Sequence, residues 1–432
     1  MLYNCVLARF SGEFGIKSAQ TQEFMEQLLK SNIKNALIAN GNKELLSRLE
    51  IISRPGRYYL VPKQSSDKDI ETLIYILGKM FGLSTVSPCF KASINEHTSI
   101  RTIPAKMMLA HNIYPSKVEI RLIDNNKIDE KLWRADIHNL CEKFSKEDKN
   151  RVSQNRFHAN KNWEMGSWAY KKEKKLEIEV YGQNAYITVE RIKAPGGFPL
   201  GLESPLVALV SGGIDSPVAA WMVMRRGAPL IIVIMDSSDG SGRQPSSGAS
   251  VKEKALMEVK ILSEYMLGFN EPKIFLVPYG KALNALAKAG GEKGVTCLLC
   301  KRFMYRIAER IAHNYEAKGV VTGEILGEQA SQTAQNLMIL NTITQLPIFR
   351  PLLGFDKEEV VERSRQIGTA LVADLTQSPC WAVPDHPQTR GEASIVEKAE
   401  EKAGIEELIK ECLNTMKQLS LKDVDSILKA KK

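Results

Sequence analysis

The most constraining stretch of the 432-residue chain is Ser211-Gly212-Gly213-Ile214-Asp215-Ser216-Pro217, set between an apolar run, Pro205 to Val210, and an amphipathic one, Val218 to Arg226. Two adjacent glycines let the backbone turn sharply with its amides facing inward, because neither carries a Cβ. Asp215 or Ser216 is placed to cap a following helix, and Pro217 suits the first helical position, where a missing N–H costs nothing. The predicted product is a cup of amide and hydroxyl donors at a helix N-terminus, which fits a pyrophosphate. An ordinary strand-to-helix turn would need one glycine and gives no reason for the flanking hydroxyls. A Walker-type loop is excluded, since no Gly-Lys-Ser/Thr follows.

Around this turn the pattern alternates. Short apolar runs at Val207–Val210, Leu230–Met235, Ile274–Pro278 and Gly319–Thr322 are separated by helical segments, which predicts a parallel sheet flanked by helices. Upstream, Ala194 to Gly201 packs two prolines and three glycines between strand-like runs and reads as a linker. Before it, strands (Tyr3–Arg9, Tyr58–Val61, Ser84–Ser87) alternate with helices (Thr21–Ile38, Ile70–Met80). A second small unit follows, with a helix near Ile100–Ala110, a strand Lys117–Ile123, a helix Asp129–Phe144 and paired strands Leu176–Val180 and Ala185–Val189. A helical segment, Ser394–Ala430, ends the chain. The expected architecture is therefore multidomain, α+β then α/β. No apolar run reaches the length needed to cross a bilayer, and the N-terminus lacks secretory-signal features, so the expectation is a cytoplasmic protein without a membrane partner.

Charge divides unevenly. Residues 1–200 hold 31 Lys+Arg against 22 Asp+Glu, whereas residues 201–432 hold 28 against 28. The excess is concentrated between Lys149 and Lys175, with Phe157, Trp163, Trp168 and Tyr170 interleaved, a mixture suited to RNA but also compatible with a solvated face. The seven cysteines are sparse and odd in number, unlike a disulfide framework. Cys297 and Cys300 form a CxxC beside Lys301 and Arg302 at a predicted helix start, where positive potential should lower thiol pKa values and make them reactive or ligating. A packing role for the CxxC remains the alternative, and Cys5, Cys89, Cys141 and Cys412 read as buried or incidental thiols.

SGGIDSPVAA resembles the pyrophosphate loop of PP-loop enzymes, and the likeness extends further. CKRFMYRIAERIA, TGEILGEQASQT (Thr322–Thr333), FRPLLGFDKEEVVERSRQIGT (Phe349–Thr369), PDHPQTR (Pro384–Arg390), the linker GGFPLG and the N-terminal SGEFGIKS (Ser11–Ser18) are similar to blocks of the tRNA 4-thiouridine synthetase, or tRNA sulfurtransferase, family. The resemblance implies a ferredoxin-like domain over residues 1–87, a THUMP RNA-binding domain over 88–193, a linker over 194–203 and a Rossmann-like PP-loop catalytic domain over 204–432. It implies adenylation, with ATP and Mg²⁺, of the O4 of uridine 8 of tRNA, followed by sulfur substitution. In that scheme Ser211, Gly212, Gly213, Ile214, Asp215, Ser216, Met235, Asp236, Arg302, Gly323, Gln332 and Arg350 contact ATP, and Glu324 and Gln329 line the pocket. Asp215, Lys301, Cys297, Cys300 and Cys380 carry the chemistry. The archaeal-like form implies an iron–sulfur cluster on Cys297, Cys300 and Cys380; a zinc site completed by water or His386, or a redox pair with Cys380 as persulfide acceptor, are the alternatives. With no rhodanese-like segment, sulfur is expected from outside, as sulfide or from a carrier protein. A homodimer is left open.

Overall fold

The structure is a computed structural model and describes residues 3–95, 97–111, 118–122, 129–147, 173–238, 249–266, 268–375 and 380–430. The basic and aromatic residues of 149–172, and most of the Ser238–Ser250 stretch expected to be a loop over the nucleotide, lie outside the described residues. The chain divides into two compact units, Met1–Pro199 and Leu200–Lys432.

In the first unit the described strands are β1 (Cys5–Phe10), β2 (Leu49–Arg54), β3 (Arg57–Pro62), β4 (Leu83–Ser93), β5 (Val118–Leu122), β6 (Glu173–Tyr181) and β7 (Asn184–Lys193), in one sheet ordered β2-β3-β1-β4-β7-β6-β5. The expected strand Ser84–Ser87 is the start of an 11-residue strand, β4, which pairs with β1 on one side and β7 on the other. Its register against β7 shifts between Val86 and Cys89, around Pro88, which has no N–H for the ladder. The residue 87/88 division therefore falls within one continuous strand. β2 escapes the sequence pattern because LEIISR buries little and does not alternate. The sheet bends strongly: Tyr59 on β3 stacks on Tyr186 of β7 with centroids 3.7 Å apart and donates to Glu179 of β6 at 2.6 Å, although β1, β4 and β7 lie between β3 and β6 in the order. Arg57 and Arg9 also pair with Glu179, and Arg9 with Glu177, so buried carboxylates in this bend are matched by guanidinium groups.

The second unit is the mixed α/β part. Its described strands β8 (Leu206–Val210), β9 (Leu230–Asp236), β10 (Lys273–Pro278), β11 (Val320–Val321), β12 (Ile348–Phe349) and β13 (Lys417–Leu419) are ordered β12-β11-β8-β9-β10-β13. All pairs are parallel except β10 with β13. β9 reads as an unbroken apolar run because helices cover both its faces. The predicted C-terminal helical segment is broken: helices Ala393–Ala403, Ile405–Thr415 and Leu421–Lys429 are separated by Gly404, at φ +65°, and by the edge strand β13. The chain runs from β8 to β9 and β10 on one side, then returns to β11 and β12 on the other. Strand order thus reverses between β8 and β11, and a crevice opens beyond their carboxyl ends, where ligands of open α/β sheets bind.

Candidate functional site

The loops leaving β8 and β11 meet in that crevice. Helix Asp215–Met224 starts at Asp215, with Ile214 in the N-cap position and no side chain capping it. This corrects the expected cap by Asp215 or Ser216, and Pro217 is the third helical residue rather than the first. Helices Val251–Ser263, Lys357–Ile367 and Leu421–Lys429 carry full capping boxes, whereas the start at Asp215, like those of helices Gly280–Gly290 and Thr296–Asn314, has no side-chain cap, which leaves its amide donors to another acceptor. Ser216, buried, accepts from the Ser211 amide at 3.0 Å and lies 3.2 Å from the Ser211 hydroxyl, closing the cup across its mouth. Gly212 has φ +73°, and a Cβ there would lie 2.8 Å from Lys254 Cβ and from the Val251 carbonyl oxygen. Gly323, on the loop after β11, is pressed against the first turn: its Cβ would meet the Ser216 nitrogen at 2.7 Å. Only glycine lets these two loops close on one another.

Charged groups surround the cup. Asp215 accepts from Lys357 at 2.8 Å, and Lys357 also pairs with Glu328 at 2.7 Å. Burial raises the Asp215 carboxyl above its usual range, Glu328 adds to the rise, and Lys357 opposes it. Beneath the β11 loop, Glu324 is 3% exposed and receives Lys301 at 2.8 Å, Arg350 at 2.5 Å, Tyr305 at 2.8 Å and Thr322 at 3.2 Å. Although burial works the other way, Lys301 and Arg350 together hold its carboxyl below the usual range. Glu324 is thus a buried anion that anchors two cations at the crevice. Met235 and Asp236 end β9; Asp236 accepts from Ser238 and Lys252. Gln332 is buried with its side-chain oxygen unsatisfied among the described residues, an acceptor available to a ligand.

Helix Thr296–Asn314 supplies the CxxC. Cys297, Lys301 and Tyr305 recur at four-residue spacing and share a face, with Lys301 and Tyr305 both meeting Glu324. Arg302, one residue on and so about 100° round the helix, goes elsewhere. It is 3% exposed and makes a two-pronged pair with Glu400, at 2.7 and 2.9 Å, plus bonds to Ile339 and Thr342. Arg302 is therefore not among the residues brought to the cup. Cys297 and Cys300 are partly exposed and Cys380 exposed. The expected lowering of thiol pKa values is not found: burial raises Cys297 and pushes Cys300 up to about 12, with Cys380 close enough to add to both. The buried hydroxyl of Tyr279 lies against Cys300 and opposes part of that rise. Helix-end and lysine fields are outweighed by loss of solvent. The three cysteines are near one another, and among the described residues no group of three Cys, His, Asp or Glu side chains is arranged to hold a metal ion. His386 sits in a segment tied by Asn336 to Gln388, Ala330 and Gly391. Lys357, Glu328, Lys254 and Glu258 escaped the sequence reading, because nothing local marks a lysine whose partner is 142 residues away.

Three comparisons bear on the chain. Residues 201–405 match the family model described as "Thiamine biosynthesis protein (ThiI)". A protein from Methanobrevibacter smithii named "Probable tRNA sulfurtransferase" is 32% identical over 92% of this chain and 95% of its own length, and one of the same name from Thermococcus kodakarensis is 32% identical over 90% and 94%. Among solved structures, a 4-thiouridine synthetase–RNA complex with bound ATP matches with a TM-score of 0.75 and 26% identity, covering 96% of this chain and 99% of that one. With relatives at this identity aligned over nearly the whole length, and the family's glycine loop found in the crevice of a parallel sheet, the chain belongs to the ThiI family of tRNA sulfurtransferases.

Proposed function

We propose that this protein is an ATP-dependent tRNA sulfurtransferase that converts uridine 8 of tRNA to 4-thiouridine. The observation that carries the reading is the meeting of the uncapped helix start and glycine cup with Lys301, Arg350 and three cysteines at one crevice. ATP lies with its phosphates in the cup formed by Ser211, Gly212, Gly213, Ile214 and Ser216, and its base toward Met235 and Asp236. The uridine O4 attacks the α-phosphorus; an O4–P bond forms and pyrophosphate leaves. Donors of the cup, with Lys301 and Arg350, neutralise the charge gathering on it. Asp215 holds Lys357 at the mouth. A sulfur nucleophile then bonds to C4, and the former O4 departs with AMP. Free sulfide attacks C4 directly. With a carrier protein, Cys380, exposed, takes the outer sulfur of the carrier's persulfide and the carrier leaves as a thiol. That sulfur then bonds to C4, Cys297 or Cys300 attacks the Cys380 sulfur to free 4-thiouridine, and the resulting disulfide is reduced by an external dithiol. Mg²⁺, which binds through one or two carboxylates and the phosphates, supplies charge neutralisation when present, and Asp215 and Glu328 are suitable groups. Cys297, Cys300 and Cys380 are the residues that would hold an iron–sulfur cluster or zinc, and iron, zinc and sulfide analysis of anaerobically purified protein tests for one.

The ferredoxin-like assignment of residues 1–87, the THUMP assignment of 88–193, the linker 194–203 and the catalytic domain 204–432 belong to the same proposal. It is supported by the charge excess of residues 1–200 and by the sheet topology. Incubating tRNA with the protein, ATP and sulfide, followed by nucleoside mass spectrometry and sequencing of the product, tests the function. Sulfur at C4 of uridine 8 with AMP release is expected; thiolation at another base, or none, overturns it.

A further inference from the structure

At the end of helix Asp215–Met224 away from the cup, two guanidinium groups share one indole. Trp221 is fully buried. Arg225, one turn on and in the C-cap position, has its guanidinium carbon 6.0 Å from the ring centroid, and Arg363 of helix Lys357–Ile367 has its own at 5.8 Å. Tyr265 steadies this platform: its ring meets Trp221 edge-on at 6.1 Å, and its hydroxyl donates at 3.1 Å to the carbonyl of Ile367, one turn beyond Arg363. Four other arginines of this unit close on carboxylates, Arg302 and Arg306 on Glu400, Arg310 on Glu406 and Arg350 on Glu324. Among the described residues Arg225 and Arg363 close on none. Each guanidinium carries five N–H donors, yet the one side-chain hydrogen bond made by either runs from Arg363 to Gln366 at 2.8 Å, and Arg225 Nε is buried without a partner. Burial, and after it the Arg225 charge, lower the Arg363 pKa, which the exposed Glu362 beside it only partly offsets. The pair is a local excess of positive charge in a unit whose lysines and arginines otherwise equal its carboxylates.

We propose that Arg225 and Arg363 together hold a phosphate of the tRNA backbone and so grip the substrate at a distance from the reacting base. Planar guanidinium forks match phosphate oxygens, and an anion between two of them removes the repulsion that the free pair carries. The helix that ends at this pair is ten residues long, so the pair stands about 15 Å from the cup. That separation assigns the contact to RNA, because the phosphates of the nucleotide belong in the cup. A backbone contact of this kind fixes orientation and adds affinity without reading sequence. The inference rests on the function proposed above, since it takes tRNA as the substrate.

The test titrates the full chain with tRNA at salt concentrations between about 50 and 200 mM, comparing the parent with Arg225→Gln/Arg363→Gln and Arg225→Lys/Arg363→Lys. Glutamine removes the charge, and lysine keeps it. Each phosphate contact contributes about 0.7–0.9 to the slope of log affinity against log salt, so the glutamine pair should flatten the slope by that amount and weaken tRNA binding about fivefold at physiological salt. KM for tRNA should rise with it, KM for ATP should not, and the lysine pair should restore the slope. A role in packing alone predicts a lower Tm in both double variants with the slope of the parent, and that result overturns the inference. A raised KM for ATP with unchanged tRNA affinity overturns it as well, because the anion held would then be the nucleotide's. If the glutamine pair fails to fold, Arg363→Gln, which leaves Arg225 on Trp221, carries the same measurement, and a slope equal to the parent's overturns the inference. A parent protein that binds tRNA through the pair yet makes no 4-thiouridine overturns the proposed function and leaves the phosphate site standing. Thiolation by the parent, with tRNA affinity and slope unchanged in the glutamine pair, does the reverse.

Discussion

Replacing Gly212 by alanine perturbs the cup at its tightest point. Glycine at φ +73° occupies a region that costs an L-residue about 1–2 kcal/mol. The added methyl would also lie 2.8 Å from the Val251 carbonyl oxygen and 3.0 Å from the Ala255 nitrogen, both helix backbone, so the loop rather than the neighbour must move. Overpacking of this kind costs a further ~1–3 kcal/mol, for a total of about 2–5 kcal/mol. In a folding unit of this size that lowers Tm by about 4–20 °C. Adenylation should be lost beyond what unfolding explains, because moving the loop re-aims the amides. The neighbouring Gly213 is the control: its Cβ would meet nothing nearer than the Ser211 hydroxyl at 3.6 Å, and its φ is not positive. Gly213→Ala should therefore melt like the parent while raising KM for ATP, since its methyl has only the open cup to enter. Differential scanning fluorimetry with a pyrophosphate-release assay reads both effects. Parental Tm and adenylation in Gly212→Ala would refute the packing argument.

Other outcomes follow from the same geometry. Glu324→Gln removes the buried charge under Lys301 and Arg350, and should cost about 3 kcal/mol of stability and slow pyrophosphate release strongly; a merely local loss of stability with full adenylation counts against the anchoring role. Arg302→Met leaves Glu400 with Arg306 as its remaining partner and should cost less stability than Glu324→Gln, while KM for ATP per folded molecule stays unchanged; a raised KM restores Arg302 to the nucleotide. Burial lifts the Glu258 carboxyl to about 8, with the Asp215 charge adding to the rise, against Lys254 and the Gly212 amide. Its protonated form is favoured by folding, so this contribution to stability is full below the unfolded carboxyl pKa and is lost as pH climbs toward 8. Glu258→Gln should flatten the fall in Tm between pH 5 and 8, and an identical pH profile would sink the idea. Iodoacetamide under native conditions should label Cys380 before Cys297 and Cys300, as their exposure dictates; mass spectrometry showing the reverse order contradicts the site as described.

Much of this was legible before any coordinates. The glycine turn, the parallel alternation after residue 204 and the CxxC are contiguous features, governed by sterics and periodicity within a few residues, and a reader of the sequence meets them directly. The curvature of the first unit's sheet was not legible, because Tyr59 and Glu179 are 120 residues apart. The 11-residue span of β4 was obscured by Pro88, which looks like a terminator and is accommodated at a register shift.

What the sequence determined by itself is the kind of site: a phosphate cup, thiols nearby and a family whose motifs run through the whole chain. Tertiary structure alone decided which side chains serve it. Lys301 and Arg302 are neighbours in sequence, yet one turns to Glu324 at the crevice and the other to Glu400 in the core. Helix rotation relative to the sheet sets that divergence, and rotation is fixed by packing against distant elements. Thiol acidity followed the same logic, since loss of water around Cys300, which no local pattern encodes, outweighs the positive charges beside it.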